Sequence, residues 1–313
     1  REAGDRPRGP GPGAPPVNAP ASEAARTAGR APAAAPRIAL CFFGITRSLS
    51  FTRASIEANV LGPARAAGEA RVFAHFFRLE RIENLRTKEA ADIDPGEHRM
   101  LAPDELRLEA PGDCLARWEF ERIAEHGDTW GDGFASVRNL VHQLHSLHVV
   151  TGMAAAWQPD LWIYARPDLR YHDSLAPILS RALGGPEETA WLPLWQARGG
   201  HNDRLAVLRG GRVARKYGAR AERMHEFCAA TAGPLHSERL LGFALAGERV
   251  RRIATRATRV RAGGIDSWES FSFQPIERLH SRLEASRAPS PAKRAGHRAL
   301  QELQRALELP FPR

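Results

Sequence analysis

The chain has 313 residues and a formal net charge of +9, with 45 Lys and Arg against 36 Asp and Glu. A hydrophobic fraction of 43% supports a sizeable core, in one large domain or two small ones, which excludes a wholly disordered chain. No segment approaches the roughly 18 consecutive apolar residues that a helical membrane span needs.

The first 36 residues differ from the rest of the chain. They are mostly Ala, Pro, Gly and Arg, with no aromatic residue. Such a segment buries too little surface to offset the entropy of ordering, so we predict disorder over residues 1–36. The three cysteines are far apart and match no disulfide or zinc pattern, which favours reduced thiols and a cytoplasmic protein.

From residue 37 onward, strand and helix patterns alternate. Strands are predicted at 37–43, 70–77, 160–165 and 189–195, a further apolar strand follows a turn at 201–204, and an exposed edge strand is predicted at 249–261. Helices are predicted at 50–67, from about 137 to 151, at 213–227 and at 237–245. This alternation predicts an α/β fold with a mostly parallel sheet and helices on both faces.

The predicted α/β fold occupies a single domain, residues 37–275. Within it, residues 78–133 read as a variable insertion with some helix around 115–123. Residues 276–313 are predicted to form a basic amphipathic helical tail that packs on the domain, with membrane-surface contact as the alternative.

Positive charge is concentrated between Arg204 and Arg261, where fourteen Lys and Arg face four acids. Such a patch suits phosphate-bearing ligands, anionic glycans or the inner face of an acidic membrane as a peripheral contact. No recognisable nucleic-acid-binding module accompanies the charge, so no nucleic-acid partner is predicted. A generally arginine-rich composition explains the same patch without any function.

The end of the first predicted strand carries four residues that suit the polar groups of a nucleotide: Gly44, Thr46, Arg47 and Ser48. A glycine allows close approach, the hydroxyls and guanidinium bind polar groups, and a helix begins directly afterwards. Capping of that helix by Ser48 explains the hydroxyl without a ligand, although capping does not require Arg47.

The third predicted strand, residues 160–165, is followed directly by Arg166-Pro167-Asp168. Pro167 donates no ladder hydrogen bond and so ends the strand, which leaves Asp168 at the edge of the sheet. A carboxylate there can hold Mg²⁺ or Mn²⁺ on a diphosphate, and Arg166 can bind phosphate directly. An ion pair of Arg166 and Asp168 that only stabilises the loop is the structural alternative.

Two further segments carry polar residues next to predicted elements. Asn202, Asp203 and Arg204 lie in a turn before a strand, and His236 and Glu238 lie at the start of a helix. Each group alone is typical of local structure. Together with the strand-end acids they can supply a general base and ligands for a substrate or metal.

His142, His145 and His148 share a helix flank at three-residue steps. The sequence places no acid beside them. We therefore expect buried or solvated histidines here and not a metal site.

Six segments taken in order resemble a group of bacterial glycosyltransferase-like proteins: CFFGITRSLSFTRASIEANV, LHSLHVVT, IYARPDLRY, NDRLAV, LHSERLL and RVRAGG. That group is placed near the GT-A glycosyltransferases and the enzymes of lipopolysaccharide and capsule biosynthesis. The resemblance covers about residues 37–264. It implies a GT-A-like (Rossmann-like) fold and transfer of a sugar from a nucleotide-diphosphate sugar to a glycan or surface-polysaccharide acceptor.

The resemblance also implies roles for individual residues. Donor and nucleotide binding would fall to Gly44, Thr46, Arg47, Ser48, Arg166, Asn202 and Arg204. A divalent metal, Mn²⁺ or Mg²⁺, would bind Asp168, and catalysis would fall to Asp203, His236 and Glu238. Because Arg166 stands where an acid–x–acid motif has its first acid, the sequence departs from that pattern and metal dependence is in question.

Two other classes of function fit parts of the sequence. A sulfotransferase using a 3′-phosphoadenylyl sulfate donor would also have a strand, a polar loop and a helix, but it gives the RPD and NDR segments no role. A non-catalytic nucleotide- or glycan-binding module would explain the missing first acid.

Overall fold

The computed structural model describes residues 35–84, 89–269 and 271, with isolated positions between 279 and 302. Strand β1, Arg37–Gly44, has six consecutive buried residues, Ile38–Phe43. A continuous apolar run of this kind is typical of a central strand covered on both faces. The strand therefore lies in the middle of the sheet, as its sequence suggests.

Eleven strands are present in the described part of the chain: β1, β2 (Glu69–Phe77), β3 (Arg81–Asn84), β4 (Glu89–Asp92), β5 (Glu105–Glu109), β6 (Leu161–Ala165), β7 (Leu169–Tyr171), β8 (Thr189–Pro193), β9 (Leu205–Arg209), β10 (Arg249–Ile253) and β11 (Ala257–Arg259).

The helices of the same part are α1 (Leu49–Ile56), α2 (Gly62–Ala67), α3 (Asp113–Arg117), α4 (Phe120–Ala124), α5 (Ala135–Ala155), α6 (Ala176–Gly184), α7 (Gly211–Gly218), α8 (Met224–Thr231) and α9 (Ser237–Ala244). A π-helical turn, Glu57–Leu61, joins α1 to α2, and 3₁₀ turns lie at Glu97–Leu101 and Arg220–Arg223.

Seven strands form the central sheet in the order β10-β8-β9-β6-β1-β2-β5. Neighbouring strands are parallel except at β9, which runs antiparallel to both β6 and β8. The pairs β7–β11 and β3–β4 form two small antiparallel sheets. The predicted α/β fold with a mostly parallel sheet is confirmed.

Alternate residues of β1 enter two different cores because strand side chains point to opposite faces. Ile38, Leu40 and Phe42 pack in a cluster with residues of α1, α2 and α6. Ala39, Cys41 and Phe43 pack in a second cluster with residues of α5, α7 and α9. Helices thus cover both faces of the sheet.

Three regions differ from the sequence prediction. Residues 105–109, within the predicted insertion, form edge strand β5 of the central sheet. The predicted helix 213–227 is divided into α7, a 3₁₀ turn and α8. The predicted edge strand 249–261 is two strands: β10 ends the central sheet, and β11 crosses to pair with β7.

The described residues from Ala35 onward form one compact unit. The predicted disordered start, residues 1–36, lies outside the described residues except for its last two positions. The predicted helical tail, 276–313, lies outside the continuously described chain. No helix of the described part is long and apolar enough to cross a membrane.

Candidate active site

The carboxyl ends of β1, β2, β5 and β6 lie at one edge of the central sheet. Because β9 runs in the opposite direction, its first residue lies at the same edge. A cleft of about 550 Å³ opens there. Its charged lining comprises Arg47, Arg81, Arg166, Arg198, Arg204, Arg259, Arg261, Glu83, Asp168, Asp203 and Glu238. Seven guanidiniums against four carboxyls favour an anionic ligand.

The end of β1 is held by its backbone. Gly44 has a φ of 104°, in the region that glycine adopts without strain. Its N–H donates to Ser146 Oγ of α5 at 2.7 Å. Gly44 and Arg47 both line the cleft after this turn, so the strand end places a charged side chain where the sequence predicts one.

Asp168 accepts hydrogen bonds from two guanidiniums. Arg166 donates from Nε to Oδ1 at 2.9 Å and from Nη2 to Oδ2 at 2.8 Å. Arg47 donates from Nη2 to Oδ2 at 2.6 Å. Burial by itself would raise the pKa of Asp168, but the charges of Arg166 and Arg47 hold it well below its usual range. The carboxylate is therefore a permanently ionised group.

The surroundings of Asp168 do not fit a divalent metal. Mg²⁺ and Mn²⁺ require several oxygen ligands, and both oxygens of this carboxylate already accept guanidinium N–H groups. The nearby acid Glu89 is also engaged, since its Oε2 accepts from Arg47 and Arg261 at 3.1 Å each. A dication here would have to displace arginines from both acids, so the predicted metal ligation by Asp168 does not suit this arrangement.

Five arginines line the cleft around these acids and are called here the arginine wall: Arg47, Arg166, Arg204, Arg259 and Arg261. Arg204 pairs with Glu269 at 2.7 Å, and its guanidinium lies 5.4 Å from the centre of the Trp195 ring. Each member except Arg259 has a carboxylate within ion-pair distance among the described residues.

Asp203 lies at the turn into β9 and is strongly hydrogen-bonded. The Ser237 hydroxyl and Gln143 Nε2 both donate to its Oδ2, the second at 3.1 Å. The fully buried Arg220 places Nη2 3.8 Å from the same oxygen. Burial would raise the pKa of Asp203, but Arg220 and the Ser237 hydroxyl lower it. Asp203 is thus an ionised carboxylate whose Oδ2 takes all three of these contacts.

Glu238, in the first turn of α9, differs from Asp203 because its pKa is raised and not lowered. Burial and the charge of Asp203 raise its pKa to about 7. Its Oε2 lies 3.3 Å from His236 Nδ1, and its Oε1 lies 3.7 Å from Arg198 Nε. A carboxyl that titrates near neutral pH can accept and release a proton, and two carboxyls with separated pKa values indicate an acid–base site.

Close backbone contact fixes the position of Glu238. His201 donates its backbone N–H to the Glu238 carbonyl at 2.9 Å. A Cβ atom added at Gly200 would lie 1.7 Å from that carbonyl oxygen, so only glycine allows this approach. The loop before β9 and the start of α9 therefore hold Asp203 and Glu238 in a defined relation.

Eight of the eleven predicted site residues line this one cleft: Gly44, Arg47, Arg166, Asp168, Asp203, Arg204, His236 and Glu238. The other three, Thr46, Ser48 and Asn202, are buried outside its lining. Ser48 donates its hydroxyl to the Val260 carbonyl at 2.9 Å. Asn202 donates to the Trp195 carbonyl at 2.9 Å. Direct nucleotide contacts of these three residues stay predictions.

Sequence reasoning did not single out several residues that complete the site. Arg259 and Arg261 belong to the basic stretch before residue 262, whose regular alternation gave no sign of a cleft. Gln143 donates to Asp203 and accepts from Arg166 Nη1 at 2.8 Å, so it links Asp203 to the ion pair of Arg166 and Asp168. Glu89 lies in a short strand of the predicted insertion, far from its partners in sequence.

A second polar cluster lies at the ends of β2 and β5. His75, Glu109 and His145 have ligand atoms within 4.8 Å of one another, so the acid that the sequence does not place beside His145 comes from β5. His145 Nδ1 accepts from the Trp118 indole at 3.1 Å, and its Nε2 lies 2.7 Å from Glu109. A neutral ring therefore donates from Nε2 to Glu109. The cluster is a hydrogen-bonded network whose nitrogen ligands do not suit Mg²⁺.

No protein-family model matches the chain, and no curated protein sequence matches it significantly. Among solved structures, mouse xyloside xylosyltransferase 1 is 10% identical with a TM-score of 0.37, covering 69% of this chain and 84% of that chain. The galactosyltransferase LgtC in complex with donor and acceptor sugar analogs is 13% identical with a TM-score of 0.36, covering 68% and 72%.

A Bacillus anthracis protein named as a glucose-1-phosphate thymidylyltransferase is 8% identical with a TM-score of 0.35, covering 71% of this chain and 89% of that chain. Because the identities and TM-scores of all three are low, we infer no activity from these likenesses. The case for a function rests on the residues of the cleft.

Proposed function

We propose that this protein is a glycosyltransferase that moves a sugar from a nucleoside-diphosphate sugar to a hydroxyl group of a glycan or surface-polysaccharide acceptor. The observation that carries the proposal is that one cleft brings together the arginine wall and the neighbouring carboxyls of Asp203 and Glu238. Burial and the charge of Asp203 raise the pKa of Glu238 to about 7. A carboxyl near neutrality suits proton transfer, and guanidiniums suit phosphate groups.

The proposed reaction is a displacement at the anomeric carbon. Glu238 takes the proton of the acceptor hydroxyl as that oxygen forms a bond to the anomeric carbon. The bond from this carbon to the diphosphate oxygen breaks, and its electron pair leaves with the nucleoside diphosphate. The arginine wall stabilises the negative charge that develops on the leaving group.

The remaining cleft residues have supporting roles in this proposal. His236 lies 3.3 Å from Glu238 and within stacking distance of Trp130, with ring centres 6.1 Å apart, so it limits the positions that Glu238 can adopt. Asp203 keeps the pKa of Glu238 high through its negative charge. Gly44 and Arg47 bring the β1 end to the donor.

The biological setting is part of the proposal. Lipopolysaccharide or capsule synthesis in a bacterium would supply acceptors of the proposed class. A cytoplasmic location, with the basic segment touching the inner face of a membrane, would give access to growing lipid-linked glycans. Both are predictions that go with the glycosyltransferase assignment.

The test begins with ligand-induced thermal shifts of the full chain. Uridine, guanosine, cytidine, thymidine and adenosine diphosphates and adenosine 3′,5′-bisphosphate are compared. A ligand at a hundred times its dissociation constant adds about 2.7 kcal/mol to the free energy of unfolding. Nucleotide sugars of the base that binds are then incubated with candidate glycans, and release of the nucleoside diphosphate is measured.

Stabilisation by one nucleoside diphosphate, followed by acceptor-dependent release from the corresponding sugar nucleotide, is the expected result. A response to adenosine 3′,5′-bisphosphate alone would replace this proposal with a sulfotransferase. Binding without turnover over the whole donor and acceptor panel would make the protein a non-catalytic nucleotide-binding module.

A further inference from the structure

Arg259 differs from the other members of the arginine wall. Its side chain is partly buried and lines the cleft, and its Nε has no hydrogen-bond partner. Within the part of the chain that the structure describes, no carboxylate lies within ion-pair distance of it. A guanidinium in such a position lacks the counter-charge that partly buried cations ordinarily have.

The fold fixes this guanidinium beside the Asp168 turn. Strand β11 pairs with β7 in a register that sets Arg259 opposite Leu169. The next residue, Val260, donates its N–H to the Asp168 carbonyl at 2.8 Å. Arg259 therefore belongs to the same rigid corner as Asp168 and Arg166.

Charges of both signs lie near Arg259. Burial and the nearby guanidiniums of Arg204 and Arg166 lower its pKa well below the usual range of arginine, and the charges of Asp168 and Glu269 offset this only in part. A pKa shift in this direction means that the positive charge is held at a cost in the free protein. A bound anion would remove that cost.

The charges of the wall do not balance. Four of its five guanidiniums contact three carboxylates among the described residues, those of Glu89, Asp168 and Glu269, and Arg259 contacts none of them. Two positive charges are left uncompensated. A diphosphate diester, as in a nucleoside-diphosphate sugar, carries two negative charges, and arginine binds phosphate oxygens through paired N–H donors.

We propose that the arginine wall binds the diphosphate of the donor without a divalent metal, and that Arg259 is a direct phosphate ligand. This inference rests on the proposed glycosyltransferase function and specifies how its donor is held. The wall supplies the positive charge that a dication would otherwise provide. Asp168 then acts as the anchor that orients Arg47 and Arg166, and not as a metal ligand.

The test is isothermal titration of the full chain with the best-binding nucleoside diphosphate and with inorganic pyrophosphate, in EDTA and in Mn²⁺. The variants are Arg259→Ala, Arg259→Lys and the control Arg251→Ala, which removes an exposed arginine of β10 at the far edge of the sheet. Apo thermal unfolding of each variant reports whether it folds.

Wild type should bind both ligands in EDTA, with a dissociation constant within about threefold of that in Mn²⁺. Arg259→Ala should weaken binding about 10- to 100-fold, as expected for loss of a charge-assisted phosphate contact, with Arg259→Lys between the two. Arg251→Ala should leave the affinity unchanged. The apo melting temperature of Arg259→Ala should equal or exceed that of wild type, because a partly buried charge without an ion-pair partner is removed.

Binding that requires Mn²⁺, or an unchanged affinity in Arg259→Ala, would overturn the inference and leave the glycosyltransferase proposal intact. A lower apo melting temperature in Arg259→Ala would show that the guanidinium has a structural partner and would also count against it. Binding of pyrophosphate without binding of any nucleoside diphosphate would keep the anion site and overturn the proposed function instead.

Discussion

Asp168 and Glu238 are two shielded carboxyls of one cleft, and burial pushes the pKa of both upward. Asp168 nevertheless stays ionised because Arg166 and Arg47 donate three hydrogen bonds to it. Among the residues that the structure describes, no guanidinium lies closer than 3.7 Å to Glu238, and burial together with the negative charge of Asp203 raises its pKa to about 7.

The difference between the two sites lies in their partners, since both are shielded from water. The turn after β6 holds fixed charges in pairs, which is suited to binding an anion in one orientation. The start of α9 holds a carboxyl that changes protonation near neutral pH, which is suited to proton transfer. The proposed mechanism thereby separates anion binding from proton transfer within one cleft.

The largest expected effect is on turnover. Glu238→Gln keeps the shape of the side chain and removes the general base, so kcat of sugar transfer should fall about 10²- to 10⁴-fold. Donor affinity should change little, because the arginine wall is untouched. Steady-state kinetics with the identified sugar nucleotide, together with titration of the nucleoside diphosphate, measures both quantities.

The pH profile sharpens this assignment. In wild type, kcat should rise as the pH passes through about 7, since only the ionised Glu238 accepts a proton, and the variant should lose this rise. Glu187→Gln, at an exposed position, is the control. If the variant retained wild-type kcat and the same pH profile, another residue would have to be the base.

The second largest effect is on stability. Asp168→Asn removes the charge that neutralises Arg166 and Arg47, and breaking a buried ion pair from one side costs about 3–5 kcal/mol. Urea unfolding should show a midpoint lowered accordingly. Asp173→Asn is the matched control, because Asp173 also accepts two guanidinium bonds but from the exposed Arg256. The free energy of unfolding of the control should fall by less than about 1 kcal/mol. Equal losses in the two variants would contradict the distinction between a buried and an exposed ion pair.

The smallest effect concerns stability against pH. Because the folded pKa of Glu238 is raised above its unfolded value of 4.5, the carboxyl favours folding below pH 4.5 and loses that contribution as the pH rises through about 7. Relative to wild type, the free energy of unfolding of Glu238→Gln should therefore increase by about 1–2 kcal/mol as the pH rises from 4.5 to 8. Urea unfolding of both proteins at several pH values measures this increase. A difference in stability that stayed constant with pH would show that the carboxyl does not titrate in this range.

The sequence predicts the central strands well because a strand that is buried on both faces has a continuous apolar run. β1 and β6 are such runs, and the polar residues that follow them, Arg47, Arg166 and Asp168, line the cleft. Edge strand β5 has the sequence ELRLE and is largely exposed, so nothing in its composition distinguishes it from a loop. The helix break between α7 and α8 is likewise unmarked by proline.

The roles of the acids could not be read from spacing. The RPD motif leaves open whether Arg166 pairs with Asp168 or binds phosphate. Only the fold shows that Asp168 has two further partners, the Arg47 guanidinium and the Val260 N–H. The choice between Asp203 and Glu238 as base depends on Arg220, whose buried guanidinium reaches Asp203 from another element. Long-range charge pairing of this kind has no local sequence pattern.

The reversed direction of β9 determines where this protein tolerates change. The chain passes the cleft before it enters β9, so the loop of residues 194–204 borders the cleft while the ladders of β9 with β6 and β8 stay in register. Loops accept insertions far more readily than strands do. We expect substrate range to be adjustable around the exposed Arg198, whereas the buried Asn202–Arg204 segment and Gly200 should resist alteration. Natural divergence and engineering would then act on the same few residues at the rim.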